Sequence, residues 1–203
     1  MEDGIAPDIL RVAVYDRTIS TYEQSPRFYS VKKINGVLTT SPSILNINIP
    51  KISFAITAYD RYSGSTNKNG IFQAILSENE KPLAGFQMDC ITYDETRYLN
   101  AHIDYKLHNS GGSYVQHLGY LPGYPNGIYN NQFGNGVVNI EDGLVHPIKI
   151  SVKDANGNTS ILKLNVKYIG PKQEDKKTLA KSDGQKNEFR PGFMNVFENS
   201  WMM

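Results

Sequence analysis

A chain of 203 residues is long enough to bury a sizeable core, and 39% hydrophobic with 20% charged residues is a globular rather than a disordered composition. The net charge of +1 supplies no electrostatic basis for binding nucleic acid or an acidic membrane surface. One cysteine excludes an internal disulfide framework, and no run approaches the roughly 18 apolar residues of a membrane-spanning helix.

The first residues, MEDGIAPDIL, are acidic and lack the basic and apolar regions of a signal peptide, so none is visible at this end. From there a period of two dominates. Leu10, Val12 and Val14 alternate with Arg11 and Ala13, Leu45, Ile47 and Ile49 with Asn46 and Asn48, and Ile52, Phe54, Ile56 and Ala58 with Ser53, Ala55 and Thr57. Each run predicts a strand with one face in a core and the other wetter. Asn35-Gly36 and Ser41-Pro42 mark turns, and Pro50, which has no N–H to give a ladder, marks a corner or edge. Two strands are expected between Gly70 and Met88, joined by the polar turn Glu78–Pro82, and another over Tyr98–Leu107. Cys90, in phase with Phe86 and Met88, reads as a small buried hydrophobe.

Residues 109–136 are dense in glycine, proline and asparagine, which predicts loops around a short strand near Tyr114–Tyr120. The clearest hairpin follows: Ile148, Ile150 and Val152 alternate, a turn falls at Asp154–Asn158, and Leu162, Leu164, Val166 and Tyr168 alternate again. The fold class expected is all-β, an antiparallel β-sandwich of immunoglobulin-like or jelly-roll-like type with a flexible C-terminal tail. Residues 1–170 form the sandwich region, with a subdomain break conceivable near 90–110; 171–190 is a charged linker; 191–203 begins a truncated following element.

Candidate chemistry is sparse. His102 and Asp104 stand two apart, which on a strand puts them on one face, but no second ligand pair accompanies them, and a hydrogen-bonded pair is the expected reading. No G-x-S-x-G elbow is present, and the adjacent carboxylates Asp94 and Glu95 would point to opposite faces of a strand. The oxygen-rich stretch from Asp60 to Gly70 could collect calcium, although it lacks the EF-hand pattern, and a loop held by side-chain turns is the plainer reading. No catalytic residue, metal ligand or cofactor is assigned. The expected ligand-binding surface is made of Tyr114, Tyr120, Tyr124, Tyr129 and Asn130 on the glycine-rich loops.

The runs AYDRYSGSTNKNGIF at 58–72, ITYDETRYLNAHIDY at 91–105, LPGYPNGIYN at 121–130 and DGLVHPIKISVKDANGNTSIL at 142–162 add a resemblance. In order and spacing they resemble the β-sandwich region downstream of the peptidase domain in large lysostaphin-like zinc endopeptidases (murein DD-endopeptidase type) of Gram-negative bacteria. The segment FRPGFMNVFE looks like the start of that family's next β domain. The family's zinc is held by a histidine with a downstream aspartate and an H-x-H pair, and no two histidines here are two apart. The resemblance therefore implies a non-catalytic accessory or interaction module of a cell-envelope peptidase, not the hydrolase. Its partners would be an adjoining peptidase or envelope domain and peptidoglycan, with the parent protein in the periplasm or cell envelope. The alternative is an autonomous module gripping glycan or peptide through the Tyr/Asn loops.

Overall fold

The structure is a computed structural model that describes residues 3–123, 127–129 and 133–171; the expected linker and tail lie outside these. Its regular structure is mostly β. The strands are β1 (Asp8–Asp16), β2 (Arg27–Ile34), β3 (Val37–Thr40), β4 (Ile44–Ile47), β5 (Lys51–Tyr59), β6 (Gln73–Glu78), β7 (Lys81–Gln87), β8 (Gln116–His117), β9 (Val138–Asn139), β10 (Val145–Lys153) and β11 (Thr159–Tyr168). They pair in the order β7-β6-β10-β11-β3-β2-β1-β5-β8, with β4 also on β11 and β9 also on β5. β5 and β7 stand near opposite ends of this path, yet Phe54 and Ile56 of one and Phe86 of the other share a single core with Leu76, Ile150 and Leu164. The sheet must therefore curl so that its inner surface closes on itself. Among the described residues no helix is long and apolar enough to cross a membrane.

The alternating runs explain most of this. Leu45, Ile47, Ile52, Phe54 and Ile56 are buried, as are Ile148, Ile150, Val152, Leu162, Leu164 and Val166. The long hairpin pairs Val145 with Lys167 through Lys153 with Thr159. At its turn Gly157 takes φ 96°, and the Asp154 Oδ1 accepts the N–H groups of Asn156 (2.9 Å) and Asn158 (2.8 Å). Asn35-Gly36 links β2 to β3 with both residues at positive φ, the geometry a two-residue hairpin favours.

Five expectations need correction, four in the strands and one at Cys90. The pairing is not purely antiparallel: β11 runs parallel to β4 over Ile44–Ile47 and to β3 at Leu38. In β1 a register irregularity between Ile9 and Arg11 shifts the phase, so Ile9 rather than Leu10 joins Val12 and Val14 in the core. β1 and β5 are also covered on their second face, where Ala13, Tyr15, Ala55 and Val115 form a small cluster with Leu107. The strand expected over Tyr98–Leu107 is instead a 3₁₀ helix (Tyr93–Ala101) followed by α1 (Tyr105–Asn109).

Local hydrogen bonds account for that last change. Glu95 Oε2 accepts the Thr92 N–H (3.2 Å) while the Glu95 N–H donates to Thr92 O (3.0 Å), closing a first turn. Asp104 Oδ1 accepts the Leu107 N–H (2.9 Å), which starts α1. Cys90 is exposed because β7 ends at Gln87, before the alternation reaches it.

The β6–β7 turn places Asn79 (φ 47°) and Glu80 (φ 64°) in the left-handed region, which a glutamate occupies at a steric cost. The Glu80 carboxylate pairs with Lys149 on the surface, where such contacts contribute little. Glu80→Gly is expected to stabilise the protein by about 0.5–1 kcal/mol. Urea unfolding checks this, and a lower midpoint at unchanged slope would contradict it.

Candidate functional site: an apolar groove with orphan polar atoms

A groove of about 1120 Å³ opens beside β5, bounded by Thr57–Tyr59, the 60–72 loop, Leu99 and His102, Ser113, Tyr114 and Gln116, and the tip of the β10–β11 hairpin. Among the described residues, four buried side-chain atoms have no hydrogen-bond partner: Thr57 Oγ1, Asp60 Oδ1, His102 Nε2 and Gln116 Oε1. All four residues line this groove. A few orphan polar groups are normal in a folded protein, but their collection in one concavity is the arrangement a binding site requires.

The backbone holds these groups firmly. Thr57 sits on β5, opposite Arg11 of β1. Gln116 pairs with Ile56 and bridges to Ile103, so the segment carrying His102 is tied to the same strand edge. The His102 ring is 1% exposed and stands edge-on to Phe86, with centroids 4.3 Å apart. Its Nδ1 lies 2.9 Å from the Tyr129 hydroxyl, which in turn donates to His117 O at 3.2 Å. The Tyr129 hydroxyl has one hydrogen for two contacts: given to His117 O, it makes Nδ1 the donor and Nε2 a bare acceptor; given to Nδ1, it makes Nε2 an unpartnered donor. Burial, with His117 nearby, pushes the His102 pKa down to about 3, so the ring is neutral at physiological pH.

At the hairpin end of the groove three carboxylates converge. Asp3, Asp60 and Asp154 each offer an oxygen within 4.8 Å of the others, and all three residues are buried. Asp3 Oδ1 accepts the Ser63 N–H (3.0 Å) and hydroxyl (2.9 Å), and its Oδ2 accepts from Asn156 Nδ2 (3.2 Å). Asn158 Nδ2 donates to Asp154 Oδ2 (2.7 Å) and to the Asp3 carbonyl (3.0 Å). Burial raises the Asp60 pKa; its bond from the Arg61 N–H opposes this, and the charges of Asp154, Asp3 and Asp8 add to the rise. For Asp3 burial also raises the value, but the bonds from Ser63, Ile5 and Asn156 outweigh it and leave the pKa lowered.

The expected tyrosine surface is divided by the fold. Tyr114 lines the groove, half-exposed, with its ring edge-on to His108. Tyr120 and Tyr129 come together, centroids 6.2 Å apart, but they pack on the core, where Tyr129 serves to orient His102. Tyr124 and Asn130 lie outside the described residues. His102 and Asp104 do not act as a pair: Asp104 Oδ2 accepts from the Tyr15 hydroxyl (2.6 Å), on the side of the second cluster. Of the Asp60–Gly70 loop, Asp60 joins the carboxylate cluster, and its backbone pairs with Asn69.

Sequence reasoning missed Asp3, Thr57 and Gln116 altogether. It also read Asp154-Ala155-Asn156-Gly157-Asn158 only as a turn, although the oxygen-bearing side chains at alternate positions are a signal for a cation loop. No family model matches the chain, and no curated protein or solved structure matches it.

The buried imidazoles set the acid stability. Burial also drives His117 down, to about 4, against the opposing charge of Asp104. Both rings stay neutral in the folded chain while the unfolded chain takes up protons below about pH 6.5, so their contribution is complete above that value and lost as pH falls. His146 has the opposite sign: burial lowers its pKa, but Glu78 and Asp142 overcome this and raise it, so its contribution fades as pH rises. The thermal midpoint is expected to drop between pH 7 and pH 5, less steeply in His117→Gln and more steeply in His146→Gln. A flat profile in His146→Gln, where the opposing contribution is removed, would show that the two rings are not buried neutral.

Proposed function

We propose that this chain is a non-catalytic binding module that holds a segment of peptidoglycan, glycan or stem peptide, in the groove beside β5, as the accessory part of a cell-envelope peptidase. The observation that carries the binding half is a concavity of about 1120 Å³ whose lining includes Thr57, His102 and Gln116, each with a buried polar atom that no protein group satisfies. Such a lining suits a ligand of mixed character. Sugar hydroxyls and peptide amides can meet the polar lining residues Asn69 and Ser113, while Tyr59, Phe72 and Tyr114 offer apolar or stacking surface. Arg11 and Lys68 on the same lining can meet a stem-peptide carboxylate.

The envelope setting and the peptidase partner rest on the resemblance carried by residues 58–72, 91–105, 121–130 and 142–162. The same resemblance supports reading the curled sheet as an immunoglobulin-like or jelly-roll-like sandwich. An autonomous binding module would use the same groove, and the two readings differ in whether a peptidase needs it.

Sedimentation with insoluble peptidoglycan tests the binding. Wild-type chain is expected in the pellet, and Gln116→Leu or Tyr114→Ala should each weaken retention by about five- to tenfold, the loss of one hydrogen bond or one stacked ring. Wild-type chain left in the supernatant would sink the reading. Zinc-dependent release of muropeptides by the chain alone would overturn its non-catalytic half.

A further inference from the structure

Among the described residues, no cation is paired with the carboxylate cluster at the hairpin end of the groove. Three buried aspartates from three distant segments (the residues before β1, the end of β5 and the β10–β11 turn) bring oxygens within 4.8 Å of one another. Every donor described above for Asp3 and Asp154 is a neutral N–H or hydroxyl from Ile5, Ser63, Asn156 or Asn158. Among the described residues no lysine or arginine forms an ion pair with any of the three, and the neighbouring Arg61 is engaged by Asp8.

A second observation is independent of the clustering. Asp60 is only 7% exposed, and its Oδ1 has no hydrogen-bond partner at all. Its companions are well supplied with donors, whereas this buried member of the cluster keeps one carboxylate oxygen without any. That is the condition a bound cation corrects.

We propose that Asp3, Asp60 and Asp154 bind a calcium ion. The donors are all hard oxygens, with no imidazole or thiolate among them, which disfavours zinc and other transition metals. Carboxylates from three segments form an irregular cage, which suits the flexible coordination of calcium better than the strict octahedron and retained waters of magnesium. Asn156 and Asn158 act around the ion: their amide nitrogens fix the carboxylates of Asp3 and Asp154 in place. The ion would clamp the N-terminal segment, β5 and the hairpin turn together at the end of the groove, since Asp60 and Asn156 belong to its lining.

Calorimetric titration of CaCl₂ into the full chain, first stripped with EDTA, tests the site without any peptidoglycan. Saturable binding of one ion per chain is expected with a Kd below about 1 mM, together with a calcium-dependent rise in thermal midpoint that MgCl₂ at equal ionic strength does not reproduce. Asp60→Asn keeps the shape and removes one charge. It should weaken calcium binding at least tenfold, while the stripped variant melts higher than stripped wild type because repulsion is relieved. Asp154→Asn, which keeps the Oδ1 acceptor of the turn, should also lose calcium binding. Absence of saturable binding by the wild-type chain, equal stabilisation by magnesium, or undiminished calcium affinity in Asp60→Asn would each overturn the proposal.

Discussion

β11 has two edges to satisfy, and how it does so shapes the rest of the molecule. One edge is filled by β10 in a regular antiparallel ladder. The other is filled by two short strands from the N-terminal half, β4 along Ile44–Ile47 and β3 at Leu38, both parallel to it. Buried backbone N–H and C=O groups must be paired, so this edge requires the N-terminal strands to come alongside. Once they do, β3 leads through β2 to β1 and β5, and the path curls until Phe54 and Phe86 lie in one core. The parallel contacts span long sequence separations and cannot be replaced by a local hairpin.

The groove follows from this closure. Among the described residues, β5 has two-residue partners, β8 and β9, on its outer edge, so the space beside it is lined by loops and short helices rather than by another full strand. Those loops bring His102 and Gln116 next to Thr57 and carry Tyr114 to the lining. Function on such a surface depends on side chains that the scaffold holds rigid but leaves without partners. His102 shows both halves: Phe86 and Tyr129 fix its ring, and Nε2 stays free.

The hairpin tip plays two roles at once. Asp154 caps its own turn through Oδ1 and presents Oδ2 toward Asn158, while the residue also joins Asp3 and Asp60 in the carboxylate cluster. A side chain that completes a turn is already ordered, so the entropy of placing it near other charges has been met by local structure. Asp3 is fixed in the same economical way by Ser63 and Asn156. Asp60 is held by β5 and by its backbone pairing with Asn69, which leaves its Oδ1 as the exception.

What the sequence determined by itself was local. The runs at 45–58 and 148–168 carry their own period of two, and Asn35-Gly36 and Gly157 carry the backbone freedom their turns use, so all-β architecture and the main hairpin were legible without tertiary information. Leu10 and the 98–107 segment were misread because a one-residue irregularity and a side-chain cap each override a short alternation. Only the tertiary structure could decide the parallel closure on β11, the burial of Tyr129 and the meeting of residues 3, 60 and 154. Periodicity reports which face of an element is apolar; it holds no record of which distant segment will cover that face. Chemistry that depends on such meetings, as both the groove and the carboxylate cluster do, appears only once the chain has closed.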